Sequence, residues 1–338
     1  MRMRRVLRTS AVVVASGILA FSTGMLVARE VGVTQITLVA FLVGMPFAAI
    51  PAAVSGGLFA LAKSRVGVAV SLTAAAVFVA IQVPSFVTAD HVADGTELTV
   101  LTINVAHGEA DAAAIVAQVR SSGADVLAVQ ELTDEEVNDL VAAGLEEVLP
   151  YSVTAPRPVA DGTGLWSRTP LTDGEELADF GFVPVRARTV VDGVGLTLVS
   201  FHAMSPATPR HTEQWDRDLA RMRDLMNSYP GVVVVAGDFN ATGDHRQFRT
   251  LASDGFQDAA DAAGAGLFRT FPASRPLARL DHVVTSDGVD ALEVNPVNIP
   301  DSDHLGVVAH LRLPAAEDLS PTSADQNRGS SMTGGGGS

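Results

Sequence analysis

Apolar residues are distributed in two different ways along this chain. No charged residue falls between Arg8 and Arg29, between Glu30 and Lys63, or between Arg65 and Asp90. Crossing a hydrocarbon core takes roughly 20 apolar helical residues. Ala11 to Ala28, a span within Val31 to Ala62, and Val66 to about Val83 qualify, so three membrane spans are expected. Pro46 and Pro51 lie inside the second stretch, where a kink, a re-entrant turn or a shortened segment is expected because proline removes a helical donor. Short cytoplasmic loops retain Arg and Lys. Arg2, Arg4, Arg5 and Arg8 precede the first span, and Lys63 and Arg65 separate the second from the third, which places both segments inside. An odd number of spans then carries everything after Asp90, Asp94 and Glu97 to the extracellular side. A basic start before an apolar run also fits an export signal. Ala28 lacks a small-x-small cleavage pattern, however, and under either reading the C-terminal part is exported.

From Glu97 onward, short apolar runs bounded by Gly, Pro and Asp predict strands. The best are Leu98 to Val105, Asp125 to Gln130, Gly164 to Ser167, Val185 to Val191, Leu196 to His202, Val232 to Ala236, Leu280 to Thr285 and Leu305 to Leu313. Helical spacing falls between them. Ile115, Val116 and Val119 share a face before Gly123, and Thr212 to Met226 predicts a charged surface helix with Trp215, Leu219, Met222 and Met226 inward. The expected class is α/β, with buried sheets. After Leu313 the chain turns to Ala, Asp, Ser, Gly and Asn and ends in Gly-Gly-Gly-Gly-Ser, a composition that cannot bury enough apolar surface to fold. The expected domains are therefore a transmembrane region over 1–89, an exported domain over 90–314 and a disordered tail over 315–338.

Composition narrows the chemistry. Cysteine is absent, which excludes disulfides and thiolate metal sites and leaves Asp, Glu, His and Asn as ligands. A net charge of -15 argues against a broad basic cleft for polymeric nucleic acid, although Arg186, Arg188, Arg210 and Arg279 could still form a local groove.

The chemically capable residues sit at strand ends. Asn104 follows Leu-Thr-Ile, Glu131 closes Asp-Val-Leu-Ala-Val-Gln, and His202 closes Leu-Thr-Leu-Val-Ser-Phe. Asp238 and Asn240 follow Val-Val-Val-Val-Ala-Gly, Asp281 lies in Arg-Leu-Asp-His-Val-Val, and Asp303 with His304 opens the last strand. Singly, an Asp or Asn after a strand is usually a turn or cap residue; the ordered set instead predicts one convergent polar site. His107, just past Asn104, is a candidate substrate contact, and Phe271 could pack beside the site. His282 and His310 are expected to be structural, Trp166 a core residue, and Arg210 with His211 a solvated helix start.

Gly237 to Asn240 (Gly-Asp-Phe-Asn), Ser302 to His304 (Ser-Asp-His) and the pair Gln130-Glu131 resemble, in this order, the endonuclease/exonuclease/phosphatase superfamily of DNase I-like enzymes. The resemblance runs from about Leu98 to Leu313 and implies a four-layer α/β/β/α sandwich behind the transmembrane helices. It implies Glu131 as principal metal ligand with Asn104 and Asp303 completing the shell, around Mg²⁺ or, in substitution, Mn²⁺. It further implies a His304–Asp281 dyad that activates water or steadies phosphate, Asp238 as the rival proton acceptor, and His202 and Asn240 as donors to phosphoryl oxygens.

Superfamily membership implies phosphoester chemistry without a substrate. Only about 13 residues, Pro84 to Glu97, separate membrane from enzyme, and at roughly 3.3 Å each they hold the site near the bilayer. Three spans before such a domain are also similar to the VanJ-like, teicoplanin-resistance branch, which implies hydrolysis of a polyprenyl pyrophosphate, such as undecaprenyl pyrophosphate, in cell-envelope metabolism. The expected partners are thus the lipid bilayer and a phosphorylated lipid. Alternatives are an exported nuclease, a sphingomyelinase-like phosphodiesterase and a catalytically inert binding module.

Overall fold

The computed structural model describes residues 2–89 and 95–315. The tail expected over 315–338 lies, but for its first residue, outside the described residues, as do Asp90 and Asp94. Helix α1 (Arg2–Val31) is followed by the short α2 (Ile36–Leu42), α3 (Ala49–Leu61) and α4 (Arg65–Gln82). Two helices are long and apolar enough to cross a membrane, α1 and the segment Arg65–Phe86. The number becomes three if α2 and the stretch Met45–Leu61, bent by 55°, count as one span. Gly44 and Pro46 make the break: Pro46 sits in the first turn of the 3-10 segment Met45–Phe47, where its missing N–H leaves no bond unmade. Inside the bundle, the Ser55 hydroxyl donates to the Ala15 carbonyl (2.8 Å) and meets the Ser71 hydroxyl at 3.1 Å, polar ties suited to close helix packing. The outer faces carry exposed Val13, Leu72 and Val79.

The remaining chain alternates strands and helices. Its first half runs β1 (Thr96–Asn104), α5 (Ala112–Ser122), β2 (Val126–Gln130), α6 (Asp134–Ala142), β3 (Tyr151–Ala155), β4 (Thr163–Ser167), β5 (Thr172–Glu176) and β6 (Val185–Val191). Its second half runs β7 (Val194–His202), α7 (Pro209–Ser228), β8 (Val232–Asp238), α8 (Arg246–Leu251), β9 (Phe256–Asp258), α9 (Ala259–Ala262), β10 (Asp281–Ser286), β11 (Asp290–Asn298) and β12 (Leu305–Leu313). They form two six-stranded sheets, ordered β11-β12-β1-β2-β4-β3 and β5-β6-β7-β8-β10-β9.

The two sheets pack face to face through Leu98, Val100, Leu165, Leu196, Val234 and Leu311. Helices α5 and α6 bury Ile115, Val119 and Leu140 against the outside of the first sheet, and α7 and α8 bury Trp215, Met222 and Phe248 against the second. This is the α/β/β/α sandwich anticipated from the sequence. Each sheet has one parallel pair, β1–β2 and β7–β8, joined by crossover helices α5 and α7. Gln130 ties the layers together: its amide donates to Ser200 (3.1 Å) in the second sheet, and its oxygen accepts from Thr102 (3.2 Å) in the first.

Candidate active site

Both parallel pairs finish on one edge of the sandwich. Asn104 lies opposite Gln130 in the first sheet, with Glu131 next, and His202 lies opposite Asp238 in the second. Antiparallel β10 and β12 begin at that edge, so Asp281 pairs in register with Asp238 and His304 immediately precedes Leu305. Ligand sites at the carboxyl ends of parallel strands follow the general rule for open α/β sheets. Tight packing fixes the edge locally: a Cβ on Gly237 would stand 1.9 Å from the Phe201 carbonyl oxygen. Glu131 and Asn240 take left-handed backbone conformations (φ 60° and 48°), which turn their side chains out of the strand direction.

Asp238 Oδ2 is the hub. Asn104 Nδ2 donates to it at 3.2 Å, and His202 Nε2 and His304 Nε2 stand 3.6 and 3.7 Å away. The same Asn104 nitrogen reaches Glu131 Oε1 at 3.0 Å, so one amide joins two carboxylates, while its oxygen accepts from Ala106 N–H (2.9 Å). Asn240 donates to the Ala203 carbonyl (3.0 Å) and faces His202 Nε2 at 3.3 Å; its backbone N–H donates to Asp238 Oδ1. Seven of the eight residues singled out from the sequence are therefore linked by contacts of 3.7 Å or less. The eighth, Asp303, is exposed beside His304, and its backbone carbonyl accepts from Ala273 N–H.

Burial alone lowers the basicity of His304, but Asp281 at 2.9 Å and Asp238 behind it reverse the effect and hold the imidazolium up to about 10. A ring so charged at neutral pH steadies phosphate and protonates a leaving group better than it abstracts a proton. Asp238 is raised as well: burial, reinforced by Asp281, lifts its carboxyl above the usual range despite both histidines, making it a better proton acceptor than an ordinary carboxylate. His202 is lowered by burial, and with Nδ1 3.2 Å from the Ala160 carbonyl its Nε2 is left to accept from Asn240. The ligand atoms of Asp238, Asp281 and His304 lie within 4.8 Å of one another, a group able to hold a metal ion. Asp281 Oδ1 is buried with no hydrogen-bond partner, which leaves oxygen capacity at the same place.

Further residues support the site, and of these Phe182 carried no signal in the sequence. Ser302 donates to the Asn104 carbonyl (2.7 Å) and accepts from His304 N–H, pinning the start of β12 to the end of its neighbour β1. Phe182 lies over His202 (4.4 Å between ring centres), and Phe271 over His304 (4.7 Å), as its place near the site suggested. His107 joins the rim through Glu131 Oε2, 2.8 Å from its Nδ1. His282 and His310 are held by Asp258 and Thr99, as befits structural residues. Of the four arginines that could line a basic groove, Arg186, Arg188 and Arg279 are paired with Glu175, Asp173 and Asp258.

Comparison with known proteins agrees with this geometry. A family profile described as "Endonuclease/Exonuclease/phosphatase family" matches residues 101–304. No curated protein matches the sequence. Among solved structures, a humanized Danio rerio TDP2 superposes with a TM-score of 0.55 at 15% identity, covering 64% of this chain and 99% of that one. The endonuclease/exonuclease/phosphatase from Beutenbergia cavernae gives 0.53 at 21% identity, over 65% and 72%. That from Bacteroides vulgatus gives 0.52 at 17%, over 64% and 99%.

Proposed function

Since this chain belongs to the endonuclease/exonuclease/phosphatase family, whose members hydrolyse phosphoester bonds and generally depend on a divalent metal, we propose that it is a membrane-anchored, Mg²⁺-dependent hydrolase of a lipid pyrophosphate, acting on the extracytoplasmic face. The single observation that supports a lipid is the junction between anchor and site. Arg29 of α1 donates to Asp244 (2.8 Å), His245 reaches the Val39 carbonyl of α2 (3.0 Å), and Ser85 after α4 accepts from Gly266 N–H (2.7 Å). Asp244 and His245 lie four and five residues beyond Asn240, so the reacting centre sits close to where the helices meet the domain.

The extracytoplasmic assignment rests on the opposite helix ends. α1 is 30 residues long, about 45 Å at 1.5 Å per residue, and its C-terminus touches the domain. Arg2, Arg4, Arg5 and Arg8 therefore lie at the far end, as do Lys63 and Arg65 in the α3–α4 turn, the arrangement that the cytoplasmic retention of basic loops favours.

The donor set fits a hard cation. Glu131, with Asn104 and Asp303, would hold Mg²⁺ or Mn²⁺, and hard oxygens with no thiolate available suit either ion. When bound, such an ion supplies charge that offsets the negative charge developing on phosphoryl oxygens. The chain's own groups would do the rest: Asp238 accepts a proton from the attacking water, His304, held by Asp281, protonates the departing oxygen, and the Asn240 backbone N–H orients Asp238.

The purified full-length protein in detergent, given Mg²⁺ and a panel of polyprenyl pyrophosphate, phospholipid and plasmid DNA, tests the proposal. The expected result is metal-dependent phosphate release from the pyrophosphate, abolished by His304→Ala. DNA nicking or release of a phosphorylated headgroup, with the pyrophosphate untouched, would move the assignment to the nuclease or the phosphodiesterase.

A further inference from the structure

Helix α2 serves three neighbours at once. Its Phe41 packs edge-on against Phe21 of the membrane helix α1, with ring centres 5.6 Å apart. Its Val39 is buried in the core under α7 and α8. Its third face, Ile36, Ala40 and Val43, follows the i, i+4, i+7 stripe of one helical side and borders a groove of about 330 Å³. Across the groove stand Phe271, Pro272 and Leu280, with Pro206 and Ala207 from the loop after β7.

Three observations restrict what the groove can hold. Its inner end is the reacting centre, because Asn240 lines it and Phe271, another wall, lies over His304. Its lining contains no Lys, Arg, Asp or Glu, so a phosphate backbone would find no cation along it. It opens to solvent at an apolar side chain, Leu277, which is 51% exposed. The volume falls in the range of about 300–1,000 Å³ usual for small-molecule clefts.

We propose that this groove seats the first units of the substrate's apolar chain, led from the membrane boundary along α2 to the phosphate at Asn240 and His304. The inference rests on the lipid pyrophosphate reading and adds the residues that select for a chain. The broken second span then has a purpose: a straight helix could not leave the bundle at Gly44 and wall the active site with Val43, Ala40 and Ile36.

Farnesyl and isopentenyl pyrophosphate carry the same phosphates on three isoprene units and on one, and the full-length protein in detergent distinguishes them. The wild type is expected to favour the farnesyl ester in kcat/KM by about tenfold or more, the ratio that about two buried methylenes supply. Ala40→Trp fills the groove and should remove that preference by raising KM for the farnesyl ester about tenfold more than KM for isopentenyl pyrophosphate, a difference of about 1.4 kcal/mol. Leu277→Lys, at the exposed rim where folding is not at stake, should act in the same direction.

A readout free of turnover comes from the absence of native cysteine. Alkylation of Ala40→Cys should be slowed by farnesyl phosphonate, whose carbon–phosphorus bond is not hydrolysed, and not by methyl phosphonate. Equal effects of Ala40→Trp on both esters, or alkylation indifferent to the farnesyl chain, would overturn the groove while leaving the hydrolase intact. A wild type that cleaves neither ester would instead remove the pyrophosphate reading on which the groove depends.

Discussion

Glu136 is a buried carboxyl that the folded protein holds at a cost above neutral pH. It lies in the first turn of α6, three residues after the capping Thr133, whose hydroxyl accepts from its backbone N–H (3.2 Å). The side chain is 1% exposed and Oε1 has no hydrogen-bond partner. Burial, then Asp139 and Asp111, raises the carboxyl from 4.5 to about 8. A carboxyl raised on folding contributes its stability in full below pH 4.5 and loses it as pH climbs through about 8. At about 1.4 kcal/mol per pH unit, the ionised form is less stable by at most about 5 kcal/mol. Glu136→Gln removes that ionisation but buries a new amide donor, which costs about 1–3 kcal/mol if unpaired. Relative to wild type, the variant is therefore expected to be about 1–3 kcal/mol less stable at pH 4 and about 2–4 kcal/mol more stable at pH 9, the latter roughly 5–15 °C in Tm for a domain of this size. Thermal unfolding of both proteins in one detergent across pH 4–9 measures it. A Tm difference that stays constant with pH would refute the reasoning, because only ionisation of this side chain makes the difference pH-dependent.

Three further outcomes follow from the site and its junction with the anchor. Asp281→Asn removes the group that holds the His304 ring, and phosphate release should fall by about 10²–10⁴-fold with the circular-dichroism spectrum unchanged; a loss under tenfold would show that His304 needs no anchor. Gly237→Ala must push β7 from β8 at the register that pairs His202 with Asp238, so Tm should drop by several degrees, for a cost of about 1–3 kcal/mol, and activity should drop with it. His245→Ala leaves the buried Val39 carbonyl without its donor, about 1–3 kcal/mol; limited proteolysis should then cut near Gly32–Gln35 before the sheets unfold.

Strands with strong apolar periodicity were legible to within two residues, and β6 and β12 coincide with their expected bounds. The missed strands share a physical cause. β3 and β5 are polar edge strands, β5 with every residue exposed; β9 has three residues, and β11 tolerates Pro296 because one of its sides faces no partner. The site was legible as types at strand ends because parallel strands must end on a common edge. Which atom meets which was not: Asn104 binds two carboxylates through its nitrogen, and only the register of four strands fixes that. The N-terminal apolar helices were legible in extent and less so in number, since hydropathy measures transfer to an apolar phase without saying whether lipid or protein provides it. Val39 shows the difference: it belongs to an apparent span, yet it is covered by the catalytic domain.

That ambiguity bears on how the N-terminal helices meet the catalytic domain. α3 alone, at 13 residues and about 1.5 Å each, is some 20 Å long, short of a hydrocarbon core of about 30 Å. Its natural extension, α2, is bent away and fastened to the domain by Val39 and by the His245 bond, and the end of α1 and the link before α2 are held by the bonds of Arg246 and Gln247 to the carbonyls of Val31 and Val33. A flexible tether would need none of these contacts. Together they fix the orientation of the site relative to the helices, which matters only if the reacting group arrives from a constrained direction. The thermodynamic consequence is that loosening α2 should weaken productive binding more than it weakens the sandwich, whose own core lies between the two sheets and beneath α5 and α7.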